Sequence, residues 1–531
     1  MSSTPDASAG LAARLLSWVE RVGNRLPDPV TLFGVGALAV LLASQMAVWG
    51  GWTVPHPTEP DRMIEARSLL TSDGLRWVFT HMVENFTSFH PLGVVLVAML
   101  GIGVAERSGL IAVLLRGLVA ITPRMLVTPS LVFVGVLSSL AADAGYVVLP
   151  PLAAAIFAGM GRAPLAGLAA VFVGVAGGFS ANLVVTSLDP LLQGLTLEAS
   201  TLMDPESFIR VDCNWWFMIG STGLVTLVGW AITAWIVEPR FTPEDVRTQI
   251  AAGRIAEGEE GAGSDRVTDA ERRGLAFAAF GFAVAAIGLG LMILLPGGPL
   301  HGTYAPVPGR PEVPVWADVI VPLLLVLFLV PGACYGIGAG TIRSDRDVAK
   351  LLGESMSSMG TYIVLAFFAG QFVAWFRESN LGTLLAVTGV GWLQGLGLGQ
   401  MPLLVGVIAL TAGLNLFLGS ASAKWALLAP VFVPLMMGLG LAPELTQAAY
   451  RVGDSATNSI APLNPYLVVI LVYLRRYQPA GGLGSLVSLM LPYTIALMVI
   501  WPAFLLLWAW LGIPLGPGEP QLFIEPLAIG G

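Results

Sequence analysis

Nine continuous apolar runs of bilayer length, at about 29–50, 91–106, 164–200, 214–236, 275–295, 316–340, 358–376, 443–474 and 484–511, leave this chain few ways to fold. A hydrocarbon core about 30 Å thick takes roughly 20 apolar residues as a helix. Within it every backbone polar group must find a partner in the chain, so such runs are read as membrane-spanning helices. Charged residues make up 11% of the 531 residues and hydrophobic ones 55%, against about 25% charged in a soluble domain. The mean hydropathy is +0.79. The expected class is therefore an all-α polytopic membrane protein. Two further apolar stretches, 125–160 and 402–438, are interrupted midway by small and polar residues. They read as re-entrant helical hairpins, since irregular backbone at membrane depth survives only against protein or a wet cavity.

Charge orients this arrangement. With the N-terminus cytoplasmic, 18 of the 26 basic residues fall on cytoplasmic segments and six on outer ones, leaving Lys424 and Arg451 within the membrane region. That bias follows the positive-inside rule and puts the C-terminus outside. The organisation expected is a cytoplasmic segment 1–28, a first repeat 29–236 with its hairpin at 125–160, and a linker 237–274. A connecting span 275–295, a second repeat 316–511 with its hairpin at 402–438, and an outer tail 512–531 complete it. The linker core 240–273 is charged and poor in aromatics and reads as a flexible connector. Residues 51–90 form the longest outer segment, with Pro55, Pro57 and Pro60 ahead of a helix-like piece. Cys213 and Cys334 are too few for a disulfide framework, and the four histidines match no metal-ligand spacing. The net charge of −8 carries no argument for nucleic acid, and none is expected as a partner.

The halves resemble each other. VAERSGLIAVLL (104–115) matches WFRESNLGTLLAV (375–387) at an offset of 271. LAADAGYVVLPPLAAAIFAGMGRAPL (140–165) matches LGSASAKWALLAPVFVPLMMGLGLAP (418–443) at 279, placing Pro151 on Pro430 and Pro164 on Pro443. FSANLVVTSLDP (179–190) matches DSATNSIAPLNP (454–465) at 275, placing Asp189 on Asn464. Because the 275–295 span flips the second half, the repeats are inverted. Inverted repeats with broken helices meeting at the midplane are characteristic of secondary transporters.

Polar groups at that depth are costly and mark substrate or ion routes. They gather in Gly419–Pro465, which holds Ser420, Ser422, Lys424, Glu444, Arg451, Asp454 and Asn458, and in its counterpart 138–190. Asn182, Thr186, Asn415, Ser455, Thr457 and Asn458 offer neutral oxygens for a monovalent cation, or simply cap and join helices. Arg451 and Asp454, three apart, share a helix face and are expected to pair. Arg451 would then hold a substrate carboxylate in its planar fork, with Asp454 neutralising it in the empty state. Asp189 has no base near it in sequence and is a candidate proton carrier, with capping of the LDP turn as the competing role. Trp425 is placed to stack on an aromatic ligand or to pack in the core. Pro443 opens its helix as a first-turn proline. Lys424 either faces the cavity or snorkels. This unequal distribution puts substrate recognition mainly in the second half.

No phosphate-binding GxxxxGK[ST] loop is present, so energy is expected from an ion gradient, with Na⁺ or H⁺ as the coupling ion and no other cofactor. GSASAKWALLAPVFVPLMMGLGLAPELTQAAYRVGDSATN and GGFSANLVVTSLDPLLQGLT resemble the hallmark segments of the AbgT family, the p-aminobenzoyl-glutamate transporters, over about 30–510. The resemblance implies nine spans, two hairpins and a bowl-shaped homodimer in a bacterial inner membrane. It also implies ion-driven movement of p-aminobenzoyl-glutamate or export of sulfonamide antimetabolites, with membrane lipid and a small aromatic carboxylate or sulfonamide as partners. Functional positions of the family fall on Asp189, Asn415, Ser422, Trp425, Pro443, Arg451 and Asp454. The first hairpin tip departs from the pattern: it reads SSLAADAG where relatives carry a more polar tip, which leaves a first-half ion site to Asp143. A dicarboxylate transporter of the same architecture, a channel, and an intramembrane hydrolase using Ser422 with Lys424 are the alternatives.

Overall fold

Helices apolar on every side dominate the chain, because a helix that meets lipid on one face and packed helices on the other has no use for a polar stripe. The computed structural model describes residues 29–55, 62–120, 122–141, 144–260, 268–305, 312–464, 466–518 and 522–526. Seven described helices are long and apolar enough to cross a membrane, or nine if each of two bent pairs counts as one. Their outer faces carry large exposed apolar side chains such as Leu42, Phe280, Ile287, Ile495 and Val499, a surface suited to hydrocarbon rather than water. Trp49, Trp235 and Trp510 are exposed near helix ends, where amphipathic rings settle at the bilayer interface.

Helices occupy all nine apolar runs. The runs 29–50, 214–236 and 484–511 correspond to Pro29–Trp49, Trp215–Ile232 and Leu483–Trp510. Two runs are broken. The first comprises Pro164–Phe172, a wide turn at Val173–Gly177, irregular backbone and then Leu188–Ser200. The second comprises Pro443–Thr457 and Tyr466–Tyr477, with Pro465 outside the described residues. Both open on a proline in the first turn, where a missing N–H costs nothing. The stretch 125–160 holds Val127–Leu137 and Ala144–Gly159, and 402–438 holds Gln400–Asn415 and Ala421–Gly438.

Several expectations need correction. The linker is not simply flexible: Pro243–Glu260 is a helix, and its Gln249 accepts from the Leu165 N–H at 3.3 Å, so it lies against the first broken helix. Alanines and acid–base spacing favour a helix there over a coil. The connecting helix begins earlier, at Asp269, where Thr268 and Glu271 form a reciprocal capping box. Leu110–Ala120 and Leu381–Gly395 are helices outside the nine runs, joined at sharp bends to their neighbours. Asp345–Ser358 is a further amphipathic helix. The N-terminal segment 1–28 and linker residues 261–267 lie outside the described residues.

Described residues of the tail 512–531 are tied to the rest of the chain. Leu522 accepts from the Ala442 N–H at 3.0 Å and Ile524 donates to Gly440 O at 3.0 Å, while Phe217 N–H donates to Leu515 O at 3.0 Å. These bonds strap the tail across the start of the Pro443 helix. Under the strap, Arg210 forks onto Asp212 at 2.8 and 2.6 Å. Burial pushes the Asp212 carboxyl up against the lowering pull of that guanidinium.

Candidate functional site

Every residue of Pro443–Thr457 is buried, and its polar side chains are not scattered. Gln447, Arg451 and Asp454 recur at the i, i+4, i+7 spacing that lines one helical face. Leu188–Ser200 carries the same stripe in Asp189, Gln193, Thr196 and Ser200, all buried. Gly453 lets the neighbouring Gln400–Asn415 helix approach closely: a Cβ there would lie 2.5 Å from Ile408 O. That contact brings Asn415 to the C-terminal turn of the Arg451 helix.

Two ion pairs form the centre. Arg451 Nη2 stands 2.5 Å from Asp189 Oδ1, and Lys424 Nζ stands 2.5 Å from Asp454 Oδ1. All four side chains are 0–3% exposed. The expected Arg451–Asp454 pair along one helix is therefore replaced by two pairs between helices. Asp189 does have a base beside it, supplied by a residue more than 250 positions away. Its second oxygen, Oδ2, accepts from both the N–H and the hydroxyl of Thr186, at 2.5 and 2.9 Å, so the capping role is also present. Lys424 does not snorkel. It is fully buried and donates as well to Asn415 Oδ1. Arg451 reaches across the break in the other half to Ser180 O at 3.5 Å. The buried charged cluster thus draws Asp189 from the first half and Lys424, Arg451 and Asp454 from the second.

The remaining residues surround these pairs. Asn415 Nδ2 donates to Asp454 O, Thr457 Oγ1 and Asn458 Oδ1 at 2.7, 2.9 and 2.8 Å. Trp425 is 0% exposed; its ring stacks on Tyr450 with centroids 4.4 Å apart and its Nε1 donates to Thr196 Oγ1 at 2.9 Å. It packs the site rather than presenting a face to it. Ser422 lies on the edge, its hydroxyl 3.2 Å from Ser420 Oγ, and lines a narrow apolar crevice with Phe89, Leu191 and Tyr362. Lys424, engaged elsewhere, does not activate it. Pro443 starts the helix in its first turn, eight residues before Arg451.

Each of the six neutral cation candidates is engaged within the protein, Asn415 as just described. Ser455 Oγ accepts from the Ser180 N–H at 3.1 Å, tying together two positions matched by the 275 offset. Asn182 Oδ1 accepts from Leu183 N–H at 2.8 Å while its amide donates to Ser139 at 2.8 Å. Thr186 serves Asp189, and Thr457 and Asn458 serve Asn415. No group of three or more metal-type ligands occurs among the described residues. Asp143 lies outside them.

Sequence reasoning missed Thr196, Gln447, Tyr450 and Asn214. Thr196 donates to Gln447 Oε1 at 2.6 Å, and Gln447 Nε2 donates to Asn214 Oδ1 at 2.9 Å. The signal for Thr196 and Gln447 was the i, i+4, i+7 continuation of the stripes through Asp189 and Arg451; Tyr450 and Asn214 lie off those stripes.

A family model described as the AbgT putative transporter family matches residues 14–523. The p-aminobenzoyl-glutamate transport protein of Escherichia coli (strain K12) is 35% identical over 526 residues, covering 98% of each chain. The crystal structure of the Alcanivorax borkumensis YdaH transporter, noted for an unusual topology, is 43% identical with a TM-score of 0.83 over 92% of this chain and 100% of that one. Neisseria gonorrhoeae MtrF, of a class of antimetabolite efflux pumps, is 41% identical with a TM-score of 0.86 over 96% and 100%.

Proposed function

The chain belongs to the AbgT transporter family and is a transporter rather than an enzyme; on that premise we propose that it is an ion-gradient-coupled secondary transporter of p-aminobenzoyl-glutamate, related aromatic carboxylates and sulfonamide antimetabolites. The observation that carries this reading is the pair of buried ion pairs, each joining different helices at the breaks. Arg451 holds a carboxylate already, that of Asp189. A substrate carboxylate of the same geometry competes for the same guanidinium. Once displaced, Asp189 is a bare charge at depth, and a proton or Na⁺ must neutralise it. Substrate entry and ion entry are thereby linked through one side chain. The coupling ion is H⁺ or Na⁺, and alternating access lets it and the substrate leave on the other side.

We read the architecture as nine spans and two re-entrant hairpins in an inverted repeat. Left-handed backbone at Gly109 and Asn380, matched by the 271 offset, and at Gly161 and Gly440, matched by the 279 offset, supports the internal repeat. The protein resides in a bacterial inner membrane, N-terminus cytoplasmic and C-terminus outside, as a homodimer.

Flux in proteoliposomes with imposed Na⁺ and H⁺ gradients, in both directions, tests the function. Accumulation of labelled p-aminobenzoyl-glutamate is expected with one gradient, blocked by unlabelled ligand and not by succinate. Displacement by succinate alone would replace the substrate assignment with a dicarboxylate one.

A further inference from the structure

Arg451 accounts for one carboxylate, but the site holds a second cation. Lys424 is fully buried, its ammonium bound by Asp454 and Asn415. Stability does not explain it. Replacing a buried ion pair by apolar side chains of similar volume is often neutral or favourable, so such a pair is poor support for a fold. Lysine at membrane depth is retained where its charge has a task.

The geometry suggests the task. Asp454 lies three residues beyond Arg451, and side chains so spaced sit about 5–6 Å apart at Cβ on one face. Lys424 and Asp189, from two other helices, therefore each bring a charge to the same helix, one to Asp454 and one to Arg451. Both cations carry a carboxylate placeholder, Asp189 on one and Asp454 on the other. Neither arrangement is saturated: Arg451 Nε and Asp454 Oδ2 are buried and without hydrogen-bond partners.

We propose that Lys424 is the specificity-determining residue for a second substrate carboxylate, exchanging Asp454 for it as Arg451 exchanges Asp189 for the first. This rests on the transport reading above. It distinguishes dianionic from monoanionic aryl ligands, a choice that Arg451 alone cannot make.

Binding to the purified full-length protein tests it with three ligands: p-aminobenzoyl-glutamate and its two monoamides, one neutral at the γ-carboxyl and one at the α-carboxyl. The native protein is expected to bind the diacid at least about tenfold more tightly than either amide, the scale of one charged hydrogen bond. In Lys424→Met the advantage over one amide, the one lacking the carboxylate that Lys424 takes, falls below about threefold. Lys424→Arg keeps it. If Lys424→Met does not fold, Lys424→Met with Asp454→Asn removes both charges and gives the same comparison. Equal weakening of all three ligands, or an advantage that survives, overturns the inference alone. So does a native protein that binds the diacid no more tightly than the amides. A native protein that does not bind the diacid overturns the transport reading, and this inference with it.

Discussion

Arg451 shows how a single side chain can be assigned wrongly by spacing and correctly by charge balance. Four charges are buried together, two of each sign. An Arg451–Asp454 pair would leave Lys424 and Asp189 each unpaired, and an unpaired buried charge costs about 3–5 kcal/mol. Two crossed pairs leave none. Double-mutant cycles measured by unfolding in detergent should therefore give Asp189/Arg451 a coupling of about 1–3 kcal/mol, and Arg451/Asp454 clearly less. The reverse order would mean the helix-face pair dominates in solution. Trp425 follows the same lesson: its position beside the hairpin tip is readable, but its partners Tyr450 and Thr196 come from other helices.

At the scale of elements, local chemistry is dependable. The Asp345–Ser358 helix starts where Asp347 Oδ2 accepts from the N–H groups of Arg343 and Ser344 at 2.8 and 2.9 Å. Those bonds, led by the one from Arg343, hold the Asp347 carboxyl below its ordinary value of 3.8. A group depressed on folding stabilises above its unfolded pKa and loses that contribution as pH falls through the folded one. Amide exchange over 343–350, corrected for intrinsic rate, should be pH-independent above about pH 4 and rise below it. Asp347→Asn should bring the faster exchange at neutral pH. An unchanged profile in that variant would show that the cap contributes nothing. The helix at Pro243–Glu260 marks the limit of composition at this scale. A charged, glycine-bearing segment reads as a coil until a neighbour, here the Leu165 N–H meeting Gln249, holds it.

At the scale of the molecule, the halves interlock instead of lying side by side. Ser180 of one bonds Ser455 of the other, Asp189 meets Arg451, and Thr196 meets both Trp425 and Gln447. A movement that separates the two halves here has to break these contacts. The expected orientation is checked with a membrane-impermeant thiol reagent on a chain whose Cys213 and Cys334 are alanine. Asp73→Cys should label in intact cells, and Thr248→Cys only after permeabilisation. Both parent side chains are exposed. The opposite pattern would invert the topology.

The sequence alone determined the membrane class, the position of nearly every long helix, the two broken helices and the residues that gather around them. Those features depend on hydropathy, proline placement and helical period, all properties of neighbouring residues. Asp189, Asn415, Arg451 and Asp454 could be selected because polar groups are rare at such depth. Only the tertiary structure decided which acid serves which base, that Lys424 belongs to the cluster, and that Trp425 is already engaged. Those outcomes depend on distances between helices far apart in the chain, and on the requirement that every buried charge find its own partner.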